Sequence, residues 1–136
     1  MADFNYKTFF EDIESSLTLK QHNLDTKIYE IPNIQNQLLR QYMIEKTKLI
    51  KLEAEHNRLF GHKYHHYKYE SDIRCENKDV AIFYVKKDEE YIEKFIQYEK
   101  QKCLCESLEK YLKRVSQMTY DIKNILDYLK YINGAN

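Results

Sequence analysis

Between residues 40 and 68 the chain carries seven cationic side chains, Arg40, Lys46, Lys48, Lys51, Arg58, Lys63 and Lys68, against three carboxylates, Glu45, Glu53 and Glu55. His56, His62, His65 and His66 add charge below neutral pH, and Phe60, Tyr64, Tyr67 and Tyr69 are interleaved with them. Cations that neutralise phosphates, set among aromatic faces on which bases can stack, are what sequence-independent binding of a single strand requires. The candidate contact residues are Lys48, Lys51, His56, Arg58, Lys63, Tyr64, Tyr67 and Lys68. A solvated helix face followed by a polar loop would have the same composition.

Other chemistry is poorly supported. His62, His65 and His66 precede Cys75, but zinc sites pair their ligands on both sides and here only one side has a cluster, so no metal is expected. Cys103 and Cys105 are two apart, point to different faces of a helix and cannot bridge, which leaves three reduced thiols. No glycine-rich phosphate loop or nucleophile elbow occurs, so neither catalysis nor a cofactor is expected. Thirteen tyrosines without a tryptophan, among many Lys, Asn and Ile, reflect AT-rich coding before any aromatic platform.

The elements that must position these residues are helical. With two glycines and one proline in 136 residues, the chain lacks the turn residues that a sheet protein of this size spends, so the fold is mainly α with long helices. Phe9, Phe10, Ile13 and Leu17 predict a short amphipathic helix in an acidic N-terminal stretch that would suit partner docking. Asp25 can cap a second short helix that ends at Ile31. From Pro32 to Phe60, apolar positions line one face of a long helix, with Gly61 as its expected C-cap. Val80 to Val85 fits a buried strand or, with Asn77 as cap, a short helix; helix is preferred. Asp88, Glu89 and Glu90 complement the dipole at the start of a last helix that runs to about Ile132, before Gly134.

That last helix carries the strongest pattern in the chain. Leu104, Leu108, Tyr111, Val115, Met118, Ile122, Ile125, Leu129 and Ile132 alternate at spacings of four and three, the a and d positions of a heptad. At position e, Leu112 and Leu126, with Cys105 and Thr119, widen the seam beyond what two helices can bury. This predicts a long amphipathic helix that oligomerises as a bundle or helical barrel. A core helix of a monomeric bundle would show the same wide stripe. Two regions follow: 1–87, helical and nucleic-acid-binding, and 88–136, the oligomerisation helix.

The 22 basic and 22 acidic side chains cancel, so nucleic-acid binding must come from local patches. No basic-then-apolar leader and no apolar run of spanning length occurs, which gives the expectation of a soluble, intracellular chain without membrane contact.

The stretch from Asp88 to Gly134, above all Thr119-Tyr120-Asp121-Ile122-Lys123-Asn124-Ile125 with Asp127, Tyr131 and Gly134, resembles the C-terminal region of the UvsY family, the recombination mediators of tailed phages. Ser71-Asp72, Ile31-Pro32 and Arg58-Leu59 fit more loosely. The resemblance implies a ring-like homo-oligomer of six or seven copies, sequence-independent binding of single-stranded DNA, and contacts with the phage recombinase and single-strand-binding protein in the host cytoplasm. It implies a protein that promotes recombinase loading onto covered strands and catalyses nothing. Arg58-Leu59 matches the family's Arg-Leu in its DNA-binding segment, whereas His56 stands where the family has a basic residue. A coiled-coil scaffold without nucleic-acid binding is the alternative. A helix-turn-helix DNA binder fits less well, because no short helix pair with a recognisable turn occurs.

Overall fold

The computed structural model describes residues 4–18, 24–71 and 77–134, and among these every regular element is helical. Four α-helices follow one another: α1 (Tyr6–Ser16), α2 (Leu24–His65), α3 (Lys78–Lys87) and α4 (Glu89–Ile132), with one π-helical turn, His66–Glu70, after α2. The residues divide into two compact units, one formed by 1–41 with 108–136 and the other by 42–107, so α2 and α4 each contribute to both. The packing units thus have other bounds than the regions 1–87 and 88–136 expected from the sequence.

In the first unit, α1 begins at Asn5, whose side chain accepts the Thr8 N–H at 3.1 Å. It contributes buried Ile13, with Leu17 just beyond its end, and α2 adds Leu24, Ile31, Ile34 and Leu38 on one face. From α4 come Leu108, Val115, Met118 and Ile122. Phe10 stacks on Tyr111 with centroids 5.0 Å apart. Arg114 and the Tyr111 hydroxyl both donate to Glu14, at 2.7 and 2.8 Å, and hold its carboxyl below its ordinary value, the Arg114 guanidinium most of all.

The second short helix and the break at Pro32 do not occur: α2 is continuous from Leu24 and contains the proline. A proline inside a helix costs about 3 kcal/mol. Leu24 on one side and Ile34 and Leu38 on the other enter the same core, and burial of each contributes roughly 1.5–3 kcal/mol, which outweighs that cost. Gly61 is not a C-cap either. The helix runs on to His65, because Lys63 and Tyr67 beyond the glycine make tertiary contacts that exceed the roughly 1 kcal/mol a helical glycine costs.

In the second unit α2 and α4 run antiparallel. Glu45 pairs with Gln101, Glu55 with Lys94, His56 with Tyr91 and Lys63 with Asp88, so partner numbers fall along α4 as they rise along α2. Glu45 is buried, and Gln101 satisfies it by donating to both its carboxylate and its backbone carbonyl, at 2.6 and 2.8 Å. Residues 78–87 are helix, as preferred from the sequence: Asn77 caps α3 through the Val80 N–H, and Ala81 and Val85 are buried. Gly134 ends the chain's helical part at φ 70°, the left-handed conformation in which glycine has no steric penalty.

Candidate nucleic-acid interface

Helical geometry divides the cationic and aromatic segment into two stripes. His56, Phe60, Lys63 and Tyr67, at spacings of four, three and four, form the inner stripe and contact α3, α4 and the junction between them. The His56 ring stacks on Tyr98 at 5.2 Å, and its Nε2 lies 3.2 Å from the Tyr91 hydroxyl. Phe60 meets the edge of Tyr91, and Tyr67 stacks on Tyr84. Lys63 binds Glu90 at 2.9 Å and Asp88 at 3.3 Å; the Glu90 carboxylate is the main reason its pKa rises.

Asp88 is the centre of this junction. Its Oδ1 accepts the Tyr91 N–H at 3.1 Å and so caps α4, while its Oδ2 accepts the Tyr67 hydroxyl at 2.7 Å. Burial pushes its carboxyl up, but the Tyr67, Tyr91 and Lys63 donors together outweigh this and hold it below the usual value. The Asp88 carboxylate raises the Tyr67 phenol in return.

The outer stripe is Lys48, Lys51, Glu55, Arg58, His62 and His65, at spacings of three and four along roughly 25 Å of helix. All are exposed except half-buried Glu55, which Lys94 neutralises at 3.2 Å. Lys48 reaches back to Glu45 at 3.2 Å yet stays largely open to solvent. Lys51 and Arg58 have no carboxylate partner among the described residues. The outer face therefore carries Lys48, Lys51 and Arg58 as cations and two imidazoles beyond them, with its one acid, Glu55, paired to Lys94.

Of the eight contact residues read from the sequence, the structure sets Lys48, Lys51 and Arg58 on this outer file and gives His56, Lys63 and Tyr67 partners inside the chain. Tyr64 is half-buried; Lys68 donates to its hydroxyl at 3.3 Å and lies 5.6 Å from its ring, and this contact raises the Lys68 pKa. The more open ring is Tyr69, 66% exposed, which was not among the eight. Composition could not separate the stripes; continuing the helical register past Gly61 would have done so. His62 and His65 also belong to the outer file, and with Asn57, Arg58, Gly61 and Glu70 they line a shallow depression of about 450 Å³.

The heptad on α4 also divides. Leu108, Val115, Met118 and Ile122 are buried in the first unit, and Leu104, Tyr111, Leu112, Leu126 and Leu129 are half-buried. Ile125 and Ile132 are 38% and 57% exposed, beside exposed Tyr128 and Tyr131. Much of the stripe thus builds the chain's own core, and its C-terminal end stays open. Cys103 is exposed and Cys105 buried, and neither forms a disulfide; Cys75 lies outside the described residues. Among the described residues no cluster of His, Cys, Asp or Glu is arranged to hold a metal, and no helix is long and apolar enough to cross a membrane.

Two long α-helices and two shorter ones, with one π-helical turn and no strand among the described residues, place the chain among all-helical proteins. It belongs to the UvsY family: the family profile described as "Recombination, repair and ssDNA binding protein UvsY" matches residues 12–135. The crystal structure of the bacteriophage T4 recombination mediator protein UvsY has the same fold, with a TM-score of 0.79 over 96% of this chain and 99% of that one, at 12% sequence identity. No curated protein sequence matches the chain significantly.

Proposed function

We propose that the chain is a recombination mediator: it binds single-stranded DNA without sequence preference and promotes loading of a recombinase onto strands that a single-strand-binding protein covers. The observation that carries this reading is the family match over nearly the whole chain, and the outer file of α2 supports it. Lys48, Lys51 and Arg58 supply phosphate contacts, with Tyr64, Lys68 and exposed Tyr69 at the end of the file. His56, Lys63 and Tyr67 act indirectly, by fixing the helix that presents them.

A few cations on one chain bind a strand weakly and with strong salt dependence. Assembly through the open C-terminal end of α4, as a ring of six or seven copies, makes each later contact intramolecular and raises avidity by orders of magnitude. The strand then wraps, and its bent and partly cleared form is what the recombinase nucleates on. The protein works by binding rather than by catalysis, in the cytoplasm of the infected host, with the recombinase and the single-strand-binding protein as partners.

Filter binding of single- and double-stranded oligonucleotides across a salt series tests the reading. Sequence-independent preference for single strands, falling steeply with salt, is expected. An assembled protein that retains neither oligonucleotide would instead be a helical scaffold.

A further inference from the structure

Gly61 is one of two glycines in the chain, and it stands inside α2, where glycine costs the helix stability relative to alanine. Its φ is not in the left-handed region, so the backbone does not require it. Nor does packing: a methyl group added there would meet no atom of the described residues within 4 Å. Nothing inside the described chain uses the missing side chain. What the gap does is open the floor of the depression between Arg58, His62 and His65, with Asn57 beside it. Glu70, the one acid in the lining, is turned to imidazoles, with His65 Nδ1 at 3.2 Å and His66 Nδ1 at 3.7 Å. The opening is thus bordered by cationic and neutral donors, and its acid is engaged.

We infer that Gly61 is where the sugar-phosphate backbone of a bound single strand approaches α2 most closely, one phosphate being received over the bare helix by Arg58, His62 and Asn57. A side chain at 61 would hold the strand off these donors, whose reach is set by a helix surface and not by a loop. The inference rests on the proposed binding of single strands and adds a position within that face at which the backbone is drawn in.

Two variants test it on the full-length chain, Gly61→Ala and Gly61→Leu. Both favour helix, so thermal melts are expected to rise or stay level, while affinity for an oligothymidylate falls for alanine and further for leucine. The leucine variant is expected to lose about 0.7 from the slope of log affinity against log salt, one phosphate's worth for a single strand. Greater stability with weaker binding is a pairing that damage to the fold cannot produce. Wild-type binding matched by both variants overturns the assignment and leaves the functional reading in place. A fall in oligomer mass by light scattering, with strand affinity per chain retained, also overturns it, because the gap would then admit a second copy. A wild-type chain that binds no strand overturns both.

Discussion

The Tyr67 hydroxyl donates to Asp88 Oδ2 at 2.7 Å, across 21 residues of sequence, and joins the π-helical turn to the first residue before α4. The same carboxylate caps α4 and receives Lys63, so one side chain fixes the end of α2 against the start of α4. A tyrosine that composition marks as a base-stacking residue thus belongs to the scaffold.

Removing that hydroxyl with Tyr67→Phe is expected to destabilise the chain by about 1.5–2 kcal/mol, the lower part of the range for a hydrogen bond to a charged group because the site is partly solvated. Asp88→Ala, which also removes the cap, is expected to cost more. Urea unfolding followed by circular dichroism measures both. A Tyr67→Phe variant that unfolds with the wild-type midpoint would show that the contact contributes nothing.

The same junction gives a pH dependence. Asp88 is held below its ordinary pKa in the folded chain, so the ionised form favours folding. Its contribution is full above the unfolded value of about 3.9 and is lost as pH falls through the lower folded value. Lys63 and Tyr67 are raised, so their contributions are full below their unfolded values of about 10 and are lost on the alkaline side. Melts between pH 2 and 7 are expected to show a decline below about pH 4 that Asp88→Asn flattens. An unchanged acid limb in the variant would remove Asp88 from the account.

Much of this architecture was legible in the residues themselves. The scarcity of glycine and proline, the Asn77 cap and the acidic start at Asp88 gave helices where helices are found, and the motif around Ile122 pointed to the family. Pro32 and Gly61 misled, because local propensity was outweighed by burial and ion pairing that lie far away in sequence. Helical register divides the basic segment into two faces but does not say which of them is covered. Which of His56, Arg58 and Lys63 meets solvent depends on where α4 packs, and α4 is some 30 residues further on. The heptad spacing on α4 is unbroken, yet a periodic stripe does not say whether its partner is the same chain or another. Here Leu108 and Ile122 find theirs at home.

The outer and inner stripes of α2 are expected to respond differently to substitution. Lys51→Ala and Arg58→Ala should each leave the melting temperature nearly unchanged and lower the salt slope of single-strand binding by about 0.7. Lys63→Ala should lower stability, through loss of its contacts with Glu90 and Asp88, and leave the slope nearly as it was in the folded chain. Equal slope changes for all three would mean that Lys63 leaves its carboxylates to meet the strand.

The final prediction concerns assembly through α4. Ile122 is 0% exposed, so Ile122→Asp buries an unpaired charge in the first unit at a cost of several kcal/mol, and the expected result is a chain that loses tertiary structure whatever its oligomeric state. Ile125 and Ile132 are open in the single chain, so aspartate at either position has solvent available and should leave the subunit folded. If these two face a neighbouring copy, the double variant Ile125→Asp, Ile132→Asp places a charge in each interface and should convert the assembly to folded monomers, with wild-type helicity and a much weaker hold on long single strands as avidity disappears. Light scattering with circular dichroism on the same sample separates the cases. An assembly of unchanged mass in the double variant would move the seam elsewhere on the surface, and a wild-type chain that is monomeric at micromolar concentration would remove it altogether.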